Sequence, residues 1–93
     1  MRVRLSRTAR RDRDGAIVYY GERSTVAGRN FVHRLRETLQ YIRQYPQGAP
    51  VLEGTLHAKV ILGFPYSIIY EIVDDEILVA SIACHYRAPE LHR

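Results

Sequence analysis

The side chains able to do chemistry gather where the last apolar run gives out, at Cys84-His85-Tyr86-Arg87, with Lys59 and Glu53 upstream. Cys84 is the single cysteine, so it forms no intramolecular disulfide, and no Cys/His cluster has zinc-ligand spacing. In its apolar run it reads as a small buried side chain rather than a reactive thiol. His85, at a strand end, is either a proton donor or, as is commoner for such a residue, a hydrogen-bonded structural histidine. Arg87 could serve an anionic ligand or pair with Glu90. Lys59 reads as a solvated strand guard and Glu53 as a solvated loop carboxylate. These residues call for no metal and no cofactor.

Charge is distributed unevenly around them. The 93 residues carry a net +4, yet residues 1–45 hold eleven arginines against four acids, a net +7, and residues 46–93 three basic residues against six acids, a net −3. Lys59 is the only lysine. Guanidinium forks make two-pronged contacts to carboxylates and phosphates, so an acidic partner, peptide or nucleic acid, stands against a merely solvated helix face. The length fits one domain with a thin stability margin, and 46% apolar residues argue against disorder. Met1 to Arg13 lacks the apolar stretch of a signal peptide, and the apolar run Val60 to Val73 is broken by Gly63, Pro65 and Glu71. A cytoplasmic location is expected.

The elements that must position these residues follow from periodicity. Val3 and Leu5 alternate with Arg2 and Arg4, a short strand. Ser6 or Thr8 caps a helix to about Glu22, with Ala9, Ala16, Ile17 and Tyr20 on its apolar side and Gly15 weakening it. Ser24-Thr25 caps a second helix whose stripe is Phe31, Leu35, Leu39 and Ile42, ended near Tyr45 by Pro46 and Gly48. The short link makes the two helices antiparallel neighbours. Tyr19, Tyr20, Tyr41 and Tyr45 are expected along the hairpin seam, with base stacking as the sharper alternative. Gln47 to Gly54 reads as loop. Three strands follow, Leu56–Leu62, Tyr66–Val73 and Glu76–His85, the last two joined by a tight turn at Asp74-Asp75. Ile77 to Ala83, apolar but for Ser81, reads as a central strand covered on both faces or nearly so. Pro89 stops further pairing in the polar tail. The expected fold is α+β: a short N-terminal strand, a two-helix antiparallel hairpin, then a three-stranded antiparallel meander in one sheet, all one domain.

That order resembles the RelE/ParE superfamily of bacterial type II toxins. The residues carrying the resemblance are Phe64-Pro65-Tyr66-Ser67-Ile68-Ile69-Tyr70, then Val73 to Val79, then His85-Tyr86-Arg87-Ala88-Pro89, with Val18-Tyr19-Tyr20 and Tyr45-Pro46 upstream. The resemblance implies a toxin neutralised by a small ParD-like antitoxin through an acidic C-terminal segment, the two forming a hetero-oligomer. ParE-like members are associated with DNA gyrase, whereas RelE-like and YoeB-like members cut messenger RNA on the ribosome.

RNA cleavage through the 2′-hydroxyl needs a base, an acid and cations for the crowded phosphate. In the nuclease branch Glu53 would be the base, Lys59 a charge clamp, His85 the acid and Arg87 the phosphate ligand. Nuclease members carry an arginine just after the middle-strand aromatic, and here that position is Ser67. The ParE-like branch is therefore expected, without confident catalytic residues. His85, Tyr86 and Arg87 are expected to bind the target, and Arg29, Arg36 and Arg43 the antitoxin. A basic nucleic-acid-binding module is the third reading.

Overall fold

The computed structural model describes residues 1–87, and the expectations for Pro89 and Glu90 concern residues outside them. The chain runs β1 (Arg2–Leu5), α1 (Arg7–Arg23), α2 (Thr25–Gln44), β2 (Val51–Glu53), β3 (Leu56–Val60), β4 (Tyr66–Val73) and β5 (Glu76–Cys84). The five strands form one sheet in the order β1-β5-β4-β3-β2. β1 lies parallel to β5 and the other neighbours are antiparallel, so this is a mixed sheet with a helical hairpin on one side.

Short polar side chains set the helix limits. Ser6 Oγ accepts from the Ala9 amide at 3.0 Å, which caps α1 and settles the choice against Thr8. Ser24 ends one helix and begins the next: its amide donates to the Tyr20 carbonyl and its Oγ accepts from the Ala27 amide. A one-residue link allows only antiparallel packing. The helices approach closely where two glycines meet, since a Cβ on Gly28 would lie 3.1 Å from Gly21 Cα. Asp74 and Asp75 both take positive φ, 51° and 64°, as the tight β4–β5 turn demands.

The core lies between hairpin and sheet. Phe31, Leu35 and Ile42 of α2 and Ala9 and Ala16 of α1 are buried against Tyr66, Ile68, Tyr70, Ile77, Val79 and Ile82. The Phe64-Pro65-Tyr66 motif does packing work there. Tyr20, Phe31, Phe64 and Tyr66 form a four-ring cluster with centroids 5.0–6.2 Å apart, joining both helices to the start of β4. Farther along, the Tyr70 hydroxyl donates to the Pro46 carbonyl at 2.8 Å, and His57 Nδ1–H donates to the Ala49 carbonyl at 2.9 Å. These two stacked rings tie the loop after α2 to the sheet.

Some expectations are corrected. Val51–Glu53, within the expected loop, is an edge strand; its three residues are all exposed, so no burial period marks it in the sequence. β5 is central but covered on one side only, because both helices leave β1 and return before the meander begins. Of the four tyrosines assigned to the seam, only Tyr20 enters the aromatic cluster, while Tyr19, Tyr41 and Tyr45 are exposed. Cys84 is half-buried, packed against the core.

β5 carries a bulge, for Ile69 pairs with Ser81 but Tyr70 with Val79. Ser6 and helix α1 satisfy backbone groups of β5 at and just beyond it. Ser6 Oγ donates to the Ala80 carbonyl at 2.8 Å, and the Ile82 amide, beyond the reach of β1, donates to Asp12 Oδ2 at 2.9 Å.

Candidate functional site

The nuclease set of residues is dispersed. His85, exposed just past β5, has its Nε2 within 2.8 Å of Ser67 Oγ, and its amide donates to the Pro65 carbonyl at 2.8 Å. Ser67 alternates with buried Tyr66 and Ile68, so the His85–Ser67 pair sits on the sheet face away from the helices. Lys59 pairs with Ile68 and points the other way, its Nζ 4.4 Å from the centre of the Tyr41 ring of α2. Glu53 is exposed on the edge strand beside Leu56. The Leu56 end of β3 is four residues from Val60, which pairs with Ser67, so about 13 Å along the strands alone separates Glu53 from the histidine. Arg87 closes a turn, its amide donating to the Cys84 carbonyl. Base, clamp and acid thus occupy two ends and two faces of the sheet. His85, Tyr86 and Arg87 do share one exposed turn, with Tyr86 85% exposed.

The arginines of α2 divide as well. A trough of about 500 Å³ runs over the hairpin, floored by Ile17, Gly21, Gly28 and Val32 and rimmed by Arg29, His33 and Arg36. His33 and Arg36 also line a second hollow of about 520 Å³, which extends toward Gln40, Tyr41 and Gln44. Arg29, Arg36 and Arg43 recur every seven residues; the first two edge the trough, and Arg43 lies in the last turn of α2. Glu37 is engaged by His33 Nε2 at 3.2 Å and forms an ion pair with Arg34 at 3.1 Å, contacts on this helix face that no sequence expectation assigned. The Gly21–Gly28 contact forms the trough floor, and its one sequence signal is the seven-residue spacing of two glycines.

A smaller recess was not read from the sequence. It holds about 190 Å³ between α1 and the end of β5, lined by Arg11, Asp12, Gly15, Ala16, Tyr19, Tyr66, Ile82 and Arg87. Burial, with nearby Cys84 and Tyr20, pushes the Tyr66 phenol above its usual range despite the opposing pull of Arg87. Tyr66 therefore stays protonated at neutral pH. No three His, Cys, Asp or Glu side chains among the described residues are grouped to hold a metal ion. No helix among them is long and apolar enough to cross a membrane.

A two-helix hairpin on one face of a mixed sheet, with an exposed turn closing the last strand, is the architecture of RelE/ParE-type toxins. The model of the ParE toxin family of type II toxin-antitoxin systems, parDE, matches residues 3–89. The chain belongs to that family. Among solved structures, the chromosomal ParDE toxin-antitoxin system from P. aeruginosa is similar at TM-score 0.67 and 20% identity, covering 90% of this chain and 95% of that one. The YoeB-YefM complex from Staphylococcus aureus is similar at TM-score 0.63 and 19% identity, covering 92% and 98%. At these identities the two likenesses concern the fold. No curated protein matches the sequence.

Proposed function

We propose that this toxin acts by binding rather than by cutting: it engages DNA gyrase through His85-Tyr86-Arg87 and is silenced by an antitoxin segment lying in the hairpin trough. The observation that carries the first half is the dispersal of the nuclease set. A general acid and base must both lie within hydrogen-bond reach of one reacting centre. Here the His85 ring is already bonded to Ser67, while Lys59 faces α2 and Glu53 lies at the far end of the sheet. The trough supports the second half. Its apolar floor and basic rim fit an amphipathic acidic helix, with arginines every seven residues facing carboxylates at the same period. The resulting assembly is a hetero-oligomer of toxin and antitoxin.

The test is to induce the chain alone and beside its neighbouring small reading frame, then to incubate it with gyrase on plasmid and with programmed ribosomes. Growth arrest relieved by the neighbour, and loss of gyrase activity that is weakened in His85→Ala without any transcript being cleaved, are expected. Cleaved transcripts that vanish in His85→Ala would overturn the binding mode. Arg36→Glu is expected to weaken antitoxin binding at least tenfold by facing a carboxylate with like charge.

A further inference from the structure

The recess at the end of β5 and the trough lie on opposite flanks of α1. Ile17 and Gly21 face the trough; Asp12, Ala16 and Tyr19 face the recess. The recess also opens on the helix side of the sheet, away from the His85–Ser67 pair. Its charged groups are Arg11, Arg87 and Asp12. Among the described residues neither Arg11 nor Arg87 makes an ion pair or a side-chain hydrogen bond, whereas Arg13 bonds Asp14 and Arg23 bonds the Tyr19 carbonyl. Asp12 is occupied by the Ile82 amide. Two guanidiniums against one carboxylate leave the recess positive.

The recess sits within a longer track. Arg7, Arg11, Gly15, Tyr19 and Arg23 recur every four residues along α1, a rise of about 6 Å per step. Gly15 supplies no side chain at the middle step, and there Arg87 lines the recess from the end of β5. Packing does not require that glycine, for a Cβ would meet nothing within 4 Å, and a mid-helix glycine costs about 1 kcal/mol against alanine. What its missing side chain does is leave the recess mouth open. The Arg23 guanidinium lies 3.5 Å over the Tyr19 ring, and exposed Tyr86 adjoins Arg87, so flat aromatic surfaces alternate with cations.

We infer that the recess seats one phosphodiester of a nucleic-acid backbone, held by Arg11 and Arg87, with the strand continuing along the arginine–tyrosine track of α1. Positive charge at four of the five steps, Arg87 standing in for Gly15 and Tyr19 taking the remaining one, suits a regularly charged polymer, and base stacking on Tyr19 or Tyr86 is sequence-tolerant. An acidic peptide fits the recess less well than it fits the trough, because the recess offers only Ala16 and Ile82 as aliphatic side chains beside the Tyr19 and Tyr66 rings. The contact binds without cleaving. It shares Arg87 and Tyr86 with the target-binding turn but does not depend on gyrase being the target.

The experiment titrates the purified chain into labelled single-stranded and duplex oligonucleotides over a range of salt, by fluorescence anisotropy. Affinity is expected to fall steeply with salt. Arg11→Gln and Arg87→Gln are each expected to lower the log–log slope by about 1 and to weaken binding several-fold for any sequence. Gly15→Leu should obstruct the mouth and weaken binding without lowering the melting temperature. The control is Arg10→Gln, which removes equal charge about 100° around the helix from Arg11. Preference for the single strand over the duplex would assign the stacking role to the tyrosines, and equal binding would confine the contact to phosphate. Absence of salt-dependent binding, an equal loss in Arg10→Gln, or polyglutamate binding as tightly as the oligonucleotides would each overturn the inference. Because oligonucleotide binding is read apart from growth arrest, this inference can fail while the toxin mechanism above stands.

Discussion

On the helix side of the sheet, Tyr66, Ile68, Tyr70, Ile77, Val79 and Ile82 are at most 6% exposed; on the other side Ser67, Ile69, Glu71, Leu78 and Ala83 remain half-exposed. The same strands supply both sets, alternating residue by residue except across the bulge at Ala80. The difference comes from topology: both helices are spent on one face before the meander starts, and no element remains to cover the other. One face therefore carries the packing energy. The other carries short polar contacts, Ser67 with His85 and Thr55 with Glu71, that organise a surface at little energetic consequence.

Substitutions at adjacent positions of β4 sharpen this contrast most. Ile68→Ala is expected to cost about 3 kcal/mol, through lost burial and the cavity left behind, and its half-exposed neighbour Ile69→Ala about 1 kcal/mol, both read from denaturant midpoints. Equal losses would mean that the outer face is packed too. Next comes the bond holding α1 to the bulged strand. Asp12→Ala orphans the Ile82 amide and is expected to cost about 2 kcal/mol. Asp12→Asn, which keeps an acceptor, should recover much of that.

A pH scan tests the buried face as a whole. Burial raises the phenols of Tyr20, Tyr66 and Tyr70 above their usual range. The unfolded tyrosines then ionise first, so this contribution to stability is complete below about pH 10 and is lost as pH rises through the folded values. Denaturant midpoints should fall in that window, while tyrosinate absorbance of the folded chain lags behind that of the unfolded chain. The smallest effect belongs to the open face, where Ser67→Ala should change stability by no more than about 0.5 kcal/mol.

Much of this molecule is local and was legible in the sequence for that reason. Helix caps at Ser6 and Ser24, the stripe Phe31-Leu35-Leu39-Ile42 and the Asp74-Asp75 turn depend on neighbours within a few residues, and they set the α+β order and the family resemblance. The arginine-rich first half was likewise plain from composition. The placement of chemistry was not. Whether Glu53 and Lys59 meet His85 depends on strand register and on which sheet face each side chain takes, and a single residue of register exchanges the faces. The bulge at Ala80 shifts that alternation within β5 itself. The recess joins residues 11 to 19 with Tyr66, Ile82 and Arg87, separations that no periodicity reports. The sequence by itself determined every element but the edge strand Val51–Glu53, their order and the sign of the charge. The tertiary structure alone decided which charges share a surface, because that depends on long-range pairing and on the single side to which both helices pack.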